Sequence, residues 1–310
     1  MKKISVLVPC YNEQDNIIPL SNEIIKVFEE NLSAYDYEII FIDNYSNDNT
    51  RTLIREICKN NQKIKAIFNV RNFGPISSPY YGICQTTGDC TIHLCADFQD
   101  PIELIPVLIR EWENGYKIVS GIKRTSKENK ALWLLRTFYY KLIKKMSEVE
   151  QIEHFTGFGL YDKSFVDILR GLHDPTPFLR GIVAELGFKR KNIFYEQPKR
   201  RSGRTKTTFY SLYDTAMLGF TSYTKVGLRI ASFCGFITAG ITLLVALFYF
   251  IYKLLYWDSF SAGIAPLVIG VFFLGSLQLF FIGFIGEYIM SINNRVMNRP
   301  LVIEEERINF

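Results

Sequence analysis

The chain has 310 residues, a net charge of +5 and 48% hydrophobic residues, which leaves room for one soluble domain and a short membrane region. The excess charge is gathered at residues 141–145, 189–191 and 199–206. Basic runs of this kind bind nucleic acid as well as phosphates, but their place beside apolar segments favours anionic headgroups or phosphates and excludes nucleic acid as the expected partner. The six cysteines form no C-x-x-C pair and have no histidine at zinc spacing, so they read as reduced cytosolic thiols packed as small hydrophobes. His93, His154 and His173 are scattered and read as structural or surface residues.

Lys2 and Lys3 precede only a short apolar stretch, residues 4–8, before the polar Tyr11-Asn12-Glu13, which does not read as a signal peptide. That stretch is β-rich and ends at Pro9. Helical periodicity follows over residues 16–30, then a strand over 38–42 and a helix over 47–60 with Asn and Asp at its start. A strand over 64–70, a helix near 77–85, a strand over 91–95, a helix over 102–112 and a strand over 117–121 complete the alternation. Short strands alternating with helices predict an α/β fold, a mostly parallel sheet covered on both faces. Ligands of such sheets sit at the carboxyl ends of the strands. The polar clusters fall there: Tyr11-Asn12-Glu13, residues 43–50, 71–74 and 97–100.

Beyond Gly121 the pattern changes. Residues 131–146 place large apolar and aromatic side chains on one side and Arg136, Lys141, Lys144 and Lys145 among the rest, as in a helix lying in a membrane interface. An ordinary amphipathic helix packed on the sheet has the same pattern, and the membrane segments downstream favour the interface. A second such segment, residues 209–223, leads directly into the first of two uncharged apolar runs, 230–252 and 264–286. Each run, as a helix, extends about 34 Å at about 1.5 Å per residue, enough for a hydrocarbon core of about 30 Å. Lys253 and Asp258 are the charges between them, whereas Lys225, Arg229, Arg295, Arg299 and Arg307 flank them. The positive-inside rule then predicts an integral protein of the plasma (inner) membrane, a two-helix hairpin with both termini cytosolic. The expected layout is a catalytic domain over 1–206, an amphipathic juxtamembrane segment over 207–229, two transmembrane helices over 230–290 and a cytosolic tail over 291–310. Holding a catalytic domain at the membrane points to a lipid substrate. Gly270, Gly275, Gly283 and Gly286 permit close helix packing in a homo-oligomer.

Asp97-Phe98-Gln99-Asp100 follows the fourth strand directly. A carboxylate and an amide oxygen two residues apart can point the same way and suit Mg²⁺ or Mn²⁺ shared with substrate phosphates. A turn or a helix start at Pro101 accounts for the same residues. Asp43 ends the second strand, where a carboxylate accepts hydrogen bonds from a ribose or base, while Asp48 reads as a helix cap. Lys199-Arg200-Arg201-Ser202-Gly203-Arg204-Thr205-Lys206 is a flexible basic loop able to close over a diphosphate or meet a lipid phosphate. A juxtamembrane strip that only holds anionic lipid is its alternative reading.

Together these segments resemble family 2 glycosyltransferases with a GT-A fold, and among them the polyprenyl-phosphate enzymes similar to dolichol-phosphate mannose synthase and the GtrB type. The resemblance rests on Val6-Leu7-Val8-Pro9-Cys10-Tyr11-Asn12-Glu13, residues 43–50, Arg71-Asn72-Phe73-Gly74, Gly88-Asp89, Ala96-Asp97-Phe98-Gln99-Asp100-Pro101 and Arg200-x-x-Gly203-x-Thr205-Lys206. It implies that Pro9, Tyr11, Glu13 and Asp43 hold the nucleoside of the donor, and that Asp97 and Gln99 bind Mg²⁺ or Mn²⁺ at its diphosphate. It implies that the loop with Arg200, Gly203, Thr205 and Lys206 covers the phosphates and receives the acceptor phosphate. Asp162 matches a functional acidic residue of the family. Three positions depart from the pattern: Cys95 replaces the first Asp of D-x-D, Asn44 replaces the Asp after Asp43, and Gly159 replaces the arginine of F-R-L. The reaction implied is inverting transfer of a sugar, glucose first, from a UDP-sugar to undecaprenyl phosphate. The alternatives are a processive polysaccharide synthase of the same fold, for which no Q-x-x-R-W segment is present, and a catalytically impaired nucleotide-binding membrane scaffold.

Overall fold

The computed structural model describes residues 1–125, 146–147, 149, 152–202, 209–224, 226–256 and 264–310. The catalytic part begins β1 (Lys3–Cys10), α1 (Gln14–Asn31), β2 (Asp36–Asp43), α2 (Thr50–Asn60), β3 (Ile64–Asn69), α3 (Gly74–Gln85) and β4 (Cys90–His93). A 3-10 turn (Ile102–Leu104) opens α4 (Ile105–Glu113), and β5 (Ile118–Thr125), β6 (Phe155–Asp162), α5 (Lys163–Leu172), α6 (Leu179–Glu185) and β7 (Arg190–Glu196) follow. The chain then runs through α7 (Phe209–Tyr223), α8 (Val226–Leu255) and α9 (Ile264–Val296) to β8 (Glu304–Ile308). The strands form one sheet in the order β7-β5-β6-β4-β1-β2-β3-β8.

The pairings of β1 with β2 and β4, of β2 with β3 and of β5 with β7 are parallel, and β6 and β8 run antiparallel to their neighbours. The mostly parallel α/β sheet expected of a GT-A domain is therefore present. Side chains alternate between its two covered faces. Ile4, Val6, Val8 and Cys10 of β1 pack with Ile17, Leu20, Ile24 and Phe28 of α1 on one face. Leu7 joins Ile40, Ile42, Tyr80, Ile83 and Phe165 on the other. Burial on both sides is why these strands read as nearly unbroken apolar runs.

One carboxylate interrupts that run. Glu38 is 1% exposed in β2 and accepts from Lys3 Nζ at 2.7 Å, Ser5 Oγ at 2.6 Å and Thr87 N at 2.8 Å, with Lys65 Nζ 2.8 Å away. Burial alone would raise its pKa, but these hydrogen bonds outweigh it and hold the carboxyl down to about 2. The cluster joins β1, β2, β3 and the turn before β4 at the amino end of the sheet.

Some boundaries differ from expectation. Helix α2 starts at Thr50 because the residues before it are spent on other contacts: Asp48 accepts from Thr50 N at 3.0 Å and from Gln14 N at 3.4 Å. The N-cap position itself is Asn49, so Asp48 supports the helix start from one residue before the cap rather than as the cap read for it. Helix α3 starts at Gly74, with Pro75 preset for the first turn. The segment 131–145 lies outside the described residues. Within the expected tail over 291–310, Glu304–Ile308 pairs antiparallel with β3, so the sheet includes a strand from beyond residue 206.

Among the described residues one helix is long and apolar enough to cross a membrane, Phe273–Val296 within α9, and only 6% of its apolar window is buried. Phe280 and Ile282 are 66% and 64% exposed there, so the helix presents a large apolar surface. In α8 the apolar stretch is the shorter Leu228–Thr242, so of the two expected spans the described residues give one helix of sufficient length and apolarity. Helix α7 matches the predicted 209–223. It lies against α9 through Tyr213 Oη to Glu287 at 2.9 Å and Arg295 to Ser222 Oγ at 3.1 Å. A Cβ on Gly181 would stand 2.2 Å from the Tyr223 ring, so α6 and the end of α7 meet with no space for a side chain between them.

Glu38→Gln removes the buried charge and is expected to cost about 3 kcal/mol at neutral pH. A depressed carboxyl gives stability that is complete above its unfolded pKa of 4.5 and is lost as pH falls towards about 2. Thermal melts of the two proteins should therefore converge through that window.

Candidate active site at the carboxyl edge

The parallel register places Cys10 beside Asp43 and carries the ends of β1, β2 and β4 to one edge of the sheet. The segment after each of these strands contains a non-glycine residue with left-handed backbone: Asn12 (φ 53°), Tyr45 (φ 67°) and Phe98 (φ 60°). Such backbone is costly for a bulky residue and persists where the surroundings impose it, which is common at functional sites. Here hydrogen bonds impose it. Asn12 N donates to Ser46 Oγ at 2.8 Å, and Asn47 N donates to Asn12 Oδ1 at 2.7 Å. Around Phe98, Gln99 N donates to Asp97 Oδ1 at 3.1 Å and Cys95 N donates to Asp100 Oδ2 at 3.0 Å. Tyr195 Oη holds the other oxygen of Asp100 at 3.0 Å.

Arg200 closes the edge. Its guanidinium donates to Asp97 Oδ2 at 2.7 Å and lies 3.6 Å from Glu13 Oε1, so one cation spans the ends of β1 and β4. Arg201 lies 4.8 Å from the centre of the Phe98 ring and pairs with Glu23 at 2.9 Å. Asp43 is fully buried at the end of the neighbouring strand β2. Its Oδ2 accepts from Ser46 N at 3.1 Å, and Oδ1 has no hydrogen-bond partner among the described residues. Burial pushes its pKa up, against the pull of Ser46 and Arg51. A buried acceptor without a partner is costly, so Oδ1 is a place for a donor hydrogen supplied by a ligand.

Of the residues expected to form the site, Pro9, Tyr11, Glu13, Asp43, Asp97, Gln99 and Arg200 lie on the carboxyl-edge strands and loops. Gly203, Thr205 and Lys206 lie outside the described residues. Asp162 is not brought to the cluster. It pairs with Cys90 at the amino end of β4, opposite the site, and its carboxylate accepts from Ser164 N at 3.0 Å and Trp112 Nε1 at 2.7 Å, with Lys117 Nζ 3.1 Å away. Burial would raise its pKa, but those donors outweigh it and lower it, as in a structural helix cap. Composition alone does not foretell Ser46, Arg51, Asp100 or Tyr195, whose partners are far away in the chain or in neighbouring loops.

The departures have local causes. Asn44 Nδ2 donates to Asn72 Oδ1 at 2.9 Å and Gly74 O at 3.1 Å, while its Oδ1 accepts from Asn69 Nδ2 and Phe73 N. An aspartate there could not donate. At Gly159 a Cβ would lie 2.4 Å from the Val119 carbonyl, so no side chain fits. Cys95 is exposed beside Asp97. Among the described residues no group of three His, Cys, Asp or Glu side chains is arranged to hold a metal ion. The Asp97 carboxylate, which accepts from Gln99 N and Arg200, can supply at most a small part of a metal's oxygen shell, the rest coming from phosphates and water. His93 Nδ1 donates to Gly157 O at 3.0 Å, and burial keeps the ring neutral.

The model of glycosyl transferase family 2 matches residues 5–169, from the third residue of β1 through β6. The chain belongs to glycosyl transferase family 2. The bactoprenol glucosyl transferase of Shigella phage SfX is 31% identical over 98% of this chain and 99% of its own length. A prophage bactoprenol glucosyl transferase homolog of Escherichia coli K12 is 30% identical over 97% of this chain and 98% of that protein. The uncharacterized glycosyltransferase YkoT of Bacillus subtilis 168 is 32% identical over 96% and 89%. Among solved structures, mannosyl-3-phosphoglycerate synthase from Rubrobacter xylanophilus has a TM-score of 0.48 at 17% identity, covering 70% of this chain and 71% of that one. A likeness of that degree bears on neither donor nor metal.

Two substitutions separate scaffold from site. Asn44→Asp should cost about 2 kcal/mol by leaving buried acceptors facing one another, and Asp162→Asn about 1 kcal/mol by weakening a cap. Both would appear in denaturant melts, with kcat for sugar transfer by Asp162→Asn within about threefold of the parent.

Proposed function

We propose that this glycosyltransferase moves a single glucose from UDP-glucose to bactoprenol phosphate (undecaprenyl phosphate), inverting the anomeric centre, at the cytosolic face of the membrane. The observation that carries the reading is the near end-to-end likeness to bactoprenol glucosyl transferases, which extends through the apolar helix Phe273–Val296. The site agrees with it: a buried acidic residue at β2, and a carboxylate and a guanidinium facing one another at β4.

The chemistry asks little of a base, because the acceptor is already a phosphate anion. Catalysis rests on aligning that anion and neutralising the departing nucleoside diphosphate. Asp43 Oδ1 would accept a hydrogen bond from the nucleoside, and Pro9, Tyr11 and Glu13 would line its pocket. Arg200 would exchange Asp97 for the diphosphate, which forms bidentate contacts with a guanidinium. Thr205 and Lys206 would close over the same phosphates, with Gly203 allowing the loop to bend. Asp97 and Gln99 would hold Mg²⁺ or Mn²⁺, which supplies Lewis-acid neutralisation of the diphosphate. With α7 and α9 at the membrane, the polyprenyl chain stays in lipid while its phosphate reaches the edge of the sheet. The hairpin, with both termini cytosolic, belongs to this proposal.

The test incubates the full-length protein in detergent with undecaprenyl phosphate, Mg²⁺ or Mn²⁺, and UDP-glucose, UDP-GlcNAc, UDP-galactose or GDP-mannose. Mass spectrometry reads the lipid. A single lipid-phosphate hexose from UDP-glucose is expected, lost with chelator and lowered about 100-fold or more by Asp97→Ala and by Arg200→Ala. A ladder of longer glycans would instead indicate a processive synthase, and no product from any donor would contradict the reading.

A further inference from the structure

The last strand is more than an edge cover. Beyond α9 the chain needs only residues 297–303 to reach β8, and several contacts then clasp the strand. Arg55 donates to Glu306 Oε2 through Nε at 2.9 Å and Nη2 at 2.7 Å, and Tyr81 Oη donates to Glu304 at 2.9 Å. Asn309 Nδ2 donates to Cys58 O at 2.8 Å and Ile64 O at 2.7 Å. Val70 N donates to Ile303 O at 3.1 Å.

One contact leads inward. Arg51 Nη2 donates to Glu305 Oε2 at 2.6 Å, while its Nε stands 3.5 Å from Asp43 Oδ2. The Arg51 side chain is 17% exposed, and its guanidinium lies 5.7 Å from the Tyr45 ring centre and 5.2 Å from that of Phe68. At 3.5 Å the Arg51–Asp43 contact is an ion pair rather than a hydrogen bond, so the direction of the guanidinium depends on its other partner. That partner is Glu305, on a strand reached through the membrane helix.

We propose that Glu305 and Arg51 are positioning residues for the donor nucleotide, β8 presenting Glu305 to Arg51 and Arg51 setting the Asp43 carboxylate and the Tyr45 ring. The inference rests on the reading of Asp43 as a nucleoside contact. Neither residue touches the reacting atoms. Their effect belongs to donor binding, and the segment beyond α9 becomes part of the nucleotide site although it is the most distant in sequence. The link also ties the geometry of that site to the placement of the membrane helix.

The experiment measures UDP and GDP binding by calorimetry on the full-length protein in nanodiscs, alongside donor KM and kcat. Glu305→Ala and Arg51→Ala should each weaken binding about fivefold or more, and the double variant should be no weaker than Arg51→Ala, because both act through one connection. Donor KM should rise while kcat and acceptor KM stay put, and Glu305→Asp should recover part of the loss. Glu306→Ala removes the neighbouring ion pair of the same strand and should bind nucleotide within about twofold of the parent. Thermal melts check that the variants fold. If Glu305→Ala binds as tightly as the parent, or if Glu306→Ala weakens binding equally, positioning by Glu305 is refuted and the donor reading stands. A parent protein that binds neither UDP nor GDP refutes the donor reading and this inference together.

Discussion

Glu38 sits between Lys3, Lys65, Ser5 and Thr87 at the amino end of the sheet, where a buried carboxylate is tolerable only because its charge and lone pairs are matched. Those partners come from β1, β3 and the turn before β4, so the cluster favours a single register among the parallel strands. A slip by one residue would also turn each apolar set to the wrong face. With that register in place, Cys10 and Asp43 end side by side, and the loops that follow can exchange hydrogen bonds. The catalytic edge is thus a consequence of pairing set at the opposite end.

At the edge itself, unfavourable local conformations are held by neighbouring loops. Asn12, Tyr45 and Phe98 adopt left-handed backbone. The bonds that hold them cross from loop to loop, as Asn12 to Ser46, or brace a turn, as Asp97 to Gln99 N. Arg200 completes the closure by pairing with Asp97 and approaching Glu13. Its charge is compensated by those two carboxylates, and in the proposed reaction it would pass to a phosphate.

Much of this was legible beforehand. Unbroken apolar runs such as residues 4–8 followed by polar clusters identify parallel strands and the edge at which they act, because burial on both faces permits nothing else. Asp43, Asp97 and Arg200 were legible for the same reason, as polar residues placed directly after strands or in a basic loop. Asp162 was singled out by resemblance alone, and the antiparallel direction of β6 places it at the amino end of β4, away from the cluster. The strand Glu304–Ile308 was hidden because its run Glu-Glu-Glu-Arg-Ile lacks the apolar pattern of a buried strand and suits an exposed edge, and it is separated from its partner β3 by most of the chain. Arg51 and Tyr195 act through partners that no local pattern announces.

The account stands on one claim, that the carboxyl edge between Asp43, Asp97 and Arg200 receives the nucleoside diphosphate. The most direct measurement is a structure of the full-length protein in nanodiscs with UDP and Mn²⁺. The account predicts the nucleoside beside Asp43 Oδ1 and the diphosphate between Asp97 and Arg200, with the Asp97–Arg200 pair opened. Nucleotide bound elsewhere, with that ion pair intact, would contradict it.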